Sequence, residues 1–257
     1  MMRTDRFLTK KSVGLLLDPD KSDNSALKRI LKIAVDNHTD YILAGGSLTF
    51  KGIDKLIQTI KNNCSIPVIL FPGNLLQLTH NADAILLLSL ISVRNADLLI
   101  GNHVLAAPFL KDIRSKVIST GYILINCGST TAVEYMSQTE AIPGDKPEII
   151  IATALAGEML GMKLIYLEGG SGASKPVPPE IVKAVKENIS VPIIVGGGLR
   201  SKSDIEHSFA AGADMIILGN GVEKDPRLLT EACRIRDKFR KKDSRPVRTK
   251  QIKKHRN

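Results

Sequence analysis

The residues best suited to chemistry fall in short polar or glycine-rich clusters, each placed directly after an apolar run. They are Asp18-Pro19-Asp20-Lys21, Gly45-Gly46-Ser47, Asn126-Cys127-Gly128-Ser129, Tyr166 to Gly172 (YLEGGSG), Gly196-Gly197-Gly198 and Gly219-Asn220-Gly221. Glycine lets backbone N–H groups approach an anion without a Cβ in the way, so such turns make phosphate nests that need no lysine. Any one of the last three clusters reads equally well as a tight turn. Together, on consecutive strand ends, they read as one phosphate cradle, to which the helix start at Ser201–Asp204 can add its positive dipole end. Asp18, with Ser47 nearby, suits magnesium, which takes one or two carboxylates and completes its shell with water and phosphate oxygens. Asp20 fits a ligand or a turn-capping residue equally. Tyr166 and Glu168 stand two apart on one strand and so share a side, with Leu167 opposite. Glu168, beside the cradle, can take a proton from a substrate hydroxyl; its alternative is a buried carboxylate paired with Lys or Arg. His38, His80, His103 and His207 show no HxH or HxxE spacing and read as surface or packing residues.

The elements that must hold these clusters follow from periodicity. Apolar runs at Val13–Leu17, Tyr41–Ala44, Pro67–Phe71, Ala84–Leu88, Tyr122–Ile125, Leu164–Leu167, Pro192–Val195 and Met215–Leu218 alternate with amphipathic stretches. Helices are expected over Ser25–Asp36, Ile53–Asn62, Val104–Val117, Ile149–Leu160, Pro179–Glu187, Ser203–Ala211 and Pro226–Phe239. Strands that are continuously apolar are buried on both faces, as in a parallel sheet closed by helices. The expected fold is therefore α/β, a single (β/α)8 TIM barrel, with the clusters at the C-terminal rim where such barrels keep their sites. An open doubly wound sheet is the alternative, but it needs a glycine-rich loop after the first strand, and none is there. Only Pro72 to Asp83 separates the third run from the fourth, too little for a full crossover helix, so the third helix should be short or missing.

Composition bounds the class of protein. The 257 residues carry a net charge of +10, yet the segment from Arg234 to Asn257 alone holds twelve Lys and Arg against two acids. The body is neutral, and the basicity belongs to the end of the chain. With no Trp, four Tyr and six Phe, a base-stacking platform is disfavoured, and no nucleic-acid partner is expected. Cys64, Cys127 and Cys233 are widely spaced and form neither a disulfide frame nor a zinc motif. With no signal-peptide core and no membrane-length apolar stretch, the chain reads as cytoplasmic. The expected organisation is a barrel over 1–240 and a basic, disordered tail over 241–257.

Taken together, the run Leu15 to Lys21 (LLLDPDK), Gly45-Gly46-Ser47, Pro72-Gly73-Asn74, YLEGGSG at Tyr166–Gly172, Gly196–Gly198 and Gly219-Asn220 resembles the geranylgeranylglyceryl phosphate synthase and heptaprenylglyceryl phosphate synthase family. The resemblance runs from about Phe7 to Phe239, and that family's barrels also lack or replace the third helix. It implies an Mg2+-dependent prenyltransferase of lipid biosynthesis. The free hydroxyl of sn-glycerol 1-phosphate would attack a polyprenyl diphosphate, forming an ether and releasing pyrophosphate. Carried over by motif, Asp18 and Ser47 would hold magnesium. Tyr166, Leu167, Glu168, Gly169, Gly170, Ser171, Gly172, Gly197, Gly198, Gly219 and Asn220 would bind glycerol phosphate, with Glu168 and Tyr166 catalytic. A homo-oligomer is expected. The basic tail, outside the family pattern, reads as a peripheral contact with anionic membrane or as a solvated extension. A Schiff-base sugar-phosphate enzyme is disfavoured, because no strand ends in Lys other than Lys21, beyond its turn.

Overall fold

The computed structural model describes residues 8–21, 24–46, 49, 52–128 and 130–243. Ser47, Ser129 and the basic segment after Asp243 lie outside the described residues. The strands are β1 (Ser12–Leu17), β2 (Tyr41–Ala44), β3 (Val68–Leu70), β4 (Ala84–Leu90), β5 (Val117–Asn126), β6 (Ile142–Pro143), β7 (Leu164–Glu168), β8 (Ile193–Gly196) and β9 (Met215–Leu218). Their order is β4-β3-β2-β1-β9-β8-β7-β5, and a further β4–β5 pairing closes the circle, with every pairing parallel. The two-residue β6 pairs only with the end of β5 and stands outside the barrel. The result is the eight-stranded TIM barrel that the alternating apolar runs require.

Alternation along each strand makes two apolar layers. Leu15, Ile42, Ile165, Leu167, Val195 and Ile216 face outward and pack under the helices. Leu43, Ile69, Leu86, Tyr122, Tyr166 and Ile194 face inward and fill the barrel. The helices are α1 (Asn24–Asp36), α2 (Ile53–Asn63), α3 (Asn102–Leu110), α4 (Ala132–Ser137), α5 (Pro147–Met159), α6 (Pro179–Lys186), α7 (Lys202–Ala210), α8 (Asn220–Lys224) and α9 (Arg227–Asp243). Between β3 and β4 there is no α-helix, only a 3-10 turn over Leu75–Gln77 capped by Asn74. The third helix is missing, as the short interval demanded.

Three expectations are corrected here. The helix expected over Val104–Val117 ends at Leu110; the backbone kinks at Ile113 (φ −118°, ψ 19°), and Val117 opens β5. β5 is accordingly ten residues long, far longer than Tyr122–Ile125, because Ser119, Thr120 and Gly121 interrupt its apolar run without interrupting its pairing. The last helix does not stop at Phe239 but runs across the expected boundary at 240 to Asp243.

Part of the basic end is committed to the fold. Arg236 is 2% exposed, and its Nη1 donates to Asp40 Oδ2 at 2.7 Å and to the His38 carbonyl at 2.8 Å. Arg240 donates to Asp40 Oδ1 at 2.6 Å and to the Lys11 carbonyl at 2.7 Å. Asp40 also accepts the Val13 N–H at 3.0 Å. The carboxylate thus ties α9 to the N-terminal ends of β1 and β2, on the face opposite the rim. Removing one partner of a buried pair strands the other charge, so Asp40→Ala should cost about 3 kcal/mol. Urea unfolding will show it as a lower midpoint at unchanged slope; an unchanged midpoint would mean that this tie contributes nothing.

Candidate active site

The C-terminal strand ends converge on a cavity of about 450 Å3. Glu168, the last residue of β7, is its buried centre at 6% exposure. Parallel pairing sets Tyr166 beside Tyr122 and Glu168 beside Leu124 and Gly196. Tyr166 and Glu168 therefore point inward together, while Leu167 packs outward. The Gly170 N–H donates to Glu168 Oε1 at 2.6 Å, and the hydroxyls of Tyr166 and Tyr122 also hydrogen-bond the carboxylate. Burial outweighs these three donors and pushes the Glu168 carboxyl up to about 7. No Lys or Arg pairs with it among the described residues, so the alternative of a structural ion pair does not hold.

Tyr122 went unmarked in the sequence. It stands mid-strand in a run that reads only as core, and its role appears from the β5–β7 register alone. Burial and the Glu168 carboxylate push both phenols upward, so both remain hydrogen-bond donors. Their rings stack into an aromatic floor with Phe71, at centroid distances of 5.2 Å between the tyrosines and 5.4 Å from Phe71 to Tyr166. Cys127, in the same neighbourhood, is buried and its thiol is pushed up to about 12 by burial and then by the Glu168 charge, which leaves it an inert packing group.

The glycines of the rim are there for room and backbone shape. Gly197 has φ +80°, and a Cβ on it would collide with Glu168 Oε1. Gly170 has φ +96°, and a Cβ would strike Thr131, whose side chain caps α4 through a capping box with Glu134. The backbone N–H groups of Ser171, Gly172, Gly198 and Asn220 meet no hydrogen-bond acceptor among the described residues. They line the same mouth from three strand ends, Gly219 preceding Asn220 at the last. Leu167 and Gly169 do not line the cavity: Leu167 packs outward, and the Gly169 N–H donates to the Gly196 carbonyl at 2.9 Å. Arg200 pins this loop, its Nη2 donating to the Ala173 carbonyl at 2.6 Å and the Gly172 carbonyl at 3.3 Å.

The helix start at Ser201–Asp204 lies next to Arg200 but does not itself line the cavity. Asp204 Oδ2 accepts the N–H groups of Arg200 at 3.0 Å and Ser201 at 2.8 Å, and Ser201 Oγ accepts the Asp204 N–H. The capping box satisfies part of that helix end internally.

Across the mouth, Asp18 ends β1's extension, its Oδ1 accepting the Asp20 N–H at 3.0 Å. A Cβ on Gly46 would lie 2.9 Å from Asp18 Oδ2, so this carboxylate stands against the loop that leads to Ser47. Asp20 shares that turn. No cluster of three His, Cys, Asp or Glu side chains able to hold a metal occurs among the described residues. A site with so few protein carboxylates suits a cation that completes its shell with water and phosphate oxygens, which is magnesium's habit.

A second, leucine-rich cavity of about 340 Å3 adjoins the first and shares Gly46, Phe71, Tyr122, Val133 and Met136 with it. It runs over the missing third helix, between Leu75, Leu78, Leu87, Leu88 and Leu98. His103, on α3, borders it and bonds Ser89 Oγ at 2.8 Å, while His80 packs on the Phe109 ring. No helix among the described residues is long and apolar enough to cross a membrane.

The PcrB family model matches residues 5–235. The geranylgeranylglyceryl phosphate synthase of Spirosoma linguale is 48% identical over 240 residues, which span 93% of this chain and 96% of that protein. The protein of the same name from Chitinophaga pinensis is 46% identical over 222 residues, 86% of this chain and 88% of its own. The crystal structure of (S)-3-O-geranylgeranylglyceryl phosphate synthase from Thermoplasma acidophilum, in complex with substrate sn-glycerol-1-phosphate, is similar with a TM-score of 0.85. It is 29% identical and covers 94% of this chain and 100% of its own. The resemblance read from the rim motifs is thus borne out over nearly the whole barrel: the chain belongs to the PcrB family and is an enzyme of the prenyltransferase class.

Proposed function

We propose that the protein transfers a polyprenyl group, geranylgeranyl in the first instance, from its diphosphate to the free hydroxyl of sn-glycerol 1-phosphate, giving an ether and pyrophosphate. The observation that carries this reading is Glu168: a carboxyl poised near neutrality, between an amide-lined phosphate cradle and an apolar groove. Glycerol phosphate is a small anion with a hydroxyl a few bonds from the phosphate. With its phosphate on the Ser171, Gly172, Gly198 and Asn220 amides, the hydroxyl reaches toward Glu168. The prenyl chain fits the apolar groove, with its diphosphate back toward Asp18 and Gly46. The relatives' names and the Thermoplasma complex support both substrate assignments.

In this reading Glu168 takes the hydroxyl proton as the oxygen attacks the prenyl carbon. The phenols of Tyr166 and Tyr122 hold the carboxylate's orientation. The aromatic floor, with the cavity's apolar side, keeps water from the reacting carbon. Asp18, and by the family motif Ser47, would hold Mg2+, which when bound supplies charge to offset the leaving diphosphate.

The direct test is incubation of the protein with glycerol 1-phosphate, a ladder of prenyl diphosphates and magnesium, with organic-phase products identified by mass spectrometry. One ether-linked prenylglyceryl phosphate is expected; folded protein that yields none with any donor overturns the reading. Glu168→Gln should lower kcat about 100-fold or more, the usual contribution of a placed general base. In the wild type kcat/KM should rise with pH and level off above about 7, where Glu168 is ionised. A flat profile from pH 5.5 to 8 would assign the proton elsewhere.

Stability should move the other way. The folded pKa is raised from 4.5 to about 7, so the fold favours the neutral acid, and ionising it destabilises the native state. That penalty is absent below 4.5, grows between 4.5 and 7 and is constant above. Glu168→Gln removes it. The variant's melting temperature should therefore gain on the wild type between pH 5 and 7.5, and a gap that stays constant with pH would contradict the assignment.

A further inference from the structure

One cation at the mouth has been given no part in the reaction. Lys21 ends the Asp-Pro-Asp-Lys turn, where its N–H donates to the Asp18 carbonyl at 3.2 Å. Its side chain is exposed, borders the 450 Å3 cavity, and places Nζ 2.8 Å from Asn220 Oδ1. Asn220 Nδ2 in turn lies 3.2 Å from Ser171 Oγ. An ammonium can only donate, which fixes the direction of the whole relay. Asn220 must present its carbonyl to Lys21 and its amide to Ser171, and Ser171, having accepted, has its own proton to donate into the cradle. Of the cations bordering this cavity among the described residues, Arg200 is tied by Nη2 to the Gly172 and Ala173 carbonyls on the cradle side. Lys21 is the one attached to the Asp18 turn, and Asn220 is the one acceptor its ammonium meets among the described residues.

We propose that Lys21 is a catalytic contact of the leaving diphosphate, standing at the seam between the two anion sites. The inference rests on the prenyl-transfer reading. In that reaction the C1–O bond of the prenyl diphosphate breaks and pyrophosphate departs with the electron pair. The glycerol phosphate oxygen forms the new C–O bond, and its proton goes to Glu168. Negative charge therefore grows on the diphosphate beside Asp18. An ammonium already positioned there stabilises that charge more in the transition state than in the ground state. Through Asn220 it also keeps the Ser171 hydroxyl turned toward the phosphate of the acceptor.

The test compares wild type, Lys21→Met and Lys21→Arg in magnesium. Turnover is measured with geranylgeranyl diphosphate and glycerol 1-phosphate. Binding of pyrophosphate and of glycerol 1-phosphate is measured separately by isothermal titration calorimetry, with melting curves confirming the fold. Lys21→Met should lower kcat about 100-fold, as for loss of one preorganised donor. It should weaken pyrophosphate binding about tenfold, the worth of one charged hydrogen bond, and glycerol 1-phosphate binding by a smaller factor, through the loosened Ser171 hydroxyl. Lys21→Arg should recover part of both losses. Unchanged pyrophosphate affinity in Lys21→Met overturns the proposal. So does a loss confined to glycerol 1-phosphate, which would make Lys21 a prop for Asn220. If wild type itself transfers no prenyl group, the reading of the reaction falls and takes this proposal with it; if wild type is active and Lys21→Met matches it, only the Lys21 assignment fails.

Discussion

A carboxylate buried without a cation is the constraint around which the rim is organised. Glu168 sits at 6% exposure with three hydrogen-bond donors, none of them charged. A Lys or Arg at its side would have relieved the burial cost and would also have dropped the carboxyl out of the range where it can accept a proton near neutrality. The donors that are present favour the anion without fixing it. They also explain the residues next door: Gly196 and Gly197 have no Cβ because the Tyr166 hydroxyl and the Glu168 oxygens occupy that space. Gly170 has none because its amide must reach back to Oε1 while Thr131 packs above it. Glycines that read first as phosphate-nest residues are thus equally the room that the Glu168 carboxyl and the Tyr166 hydroxyl occupy.

The two ends of the barrel treat charge in opposite ways. At the N-terminal face, Asp40 is shared between Arg236 and Arg240, and Asp214 accepts from Lys11 at 3.3 Å, Lys186 at 2.8 Å and the Ile193 N–H at 2.9 Å. Carboxylates there are satisfied and serve to tie helices to strand starts. At the C-terminal face, amide donors are left facing the cavity, and one carboxyl is held without a cation. Such polar groups cost stability unless a ligand completes them. The saturated end allows the unsaturated one to be kept open, the usual division between the stable and reactive ends of this fold.

Legibility in the sequence followed the same line. Strands buried on both faces showed as continuous apolar runs, so seven of the eight barrel strands lie close to where periodicity put them. β5 was understated because Ser119, Thr120 and Gly121 look like a turn; Gly121 is there because Ile165, Met162 and Ile91 crowd the space of a side chain. Glu168 and Tyr166 could be paired from their spacing of two, a local property. Tyr122 could not, because its nearness to Glu168 depends on β5 lying beside β7, a contact between segments more than forty residues apart. The helix start at Ser201–Asp204 was legible as a helix N-terminus from its Ser-x-x-Asp pattern, whereas its standing outside the cavity lining was not. The basic end misled in part: Arg236 and Arg240 count as charge in the sequence but are spent on Asp40 in the fold.

The missing third helix connects fold to proposed chemistry. In a complete barrel each β-strand pair is roofed by a helix that covers the outward apolar residues. Here the chain passes from β3 to β4 through a single 3-10 turn, and the apolar surface it leaves becomes a groove lined by Leu75, Leu78, Leu87 and Leu88. Water in such a groove is poorly held, so a hydrocarbon chain entering it gains about 0.8 kcal/mol for each methylene removed from solvent. The groove meets the polar mouth at Phe71 and Tyr122, the ring and phenol that also floor the Glu168 site. An amphiphile laid across this boundary would have its headgroup among amides and Asp18 and its tail where a helix would otherwise lie. Its reacting carbon would fall at the junction, within reach of an acceptor held by the cradle. On the proposed reading, omitting that one helix is what would let a site for a small phosphate also take a long apolar chain.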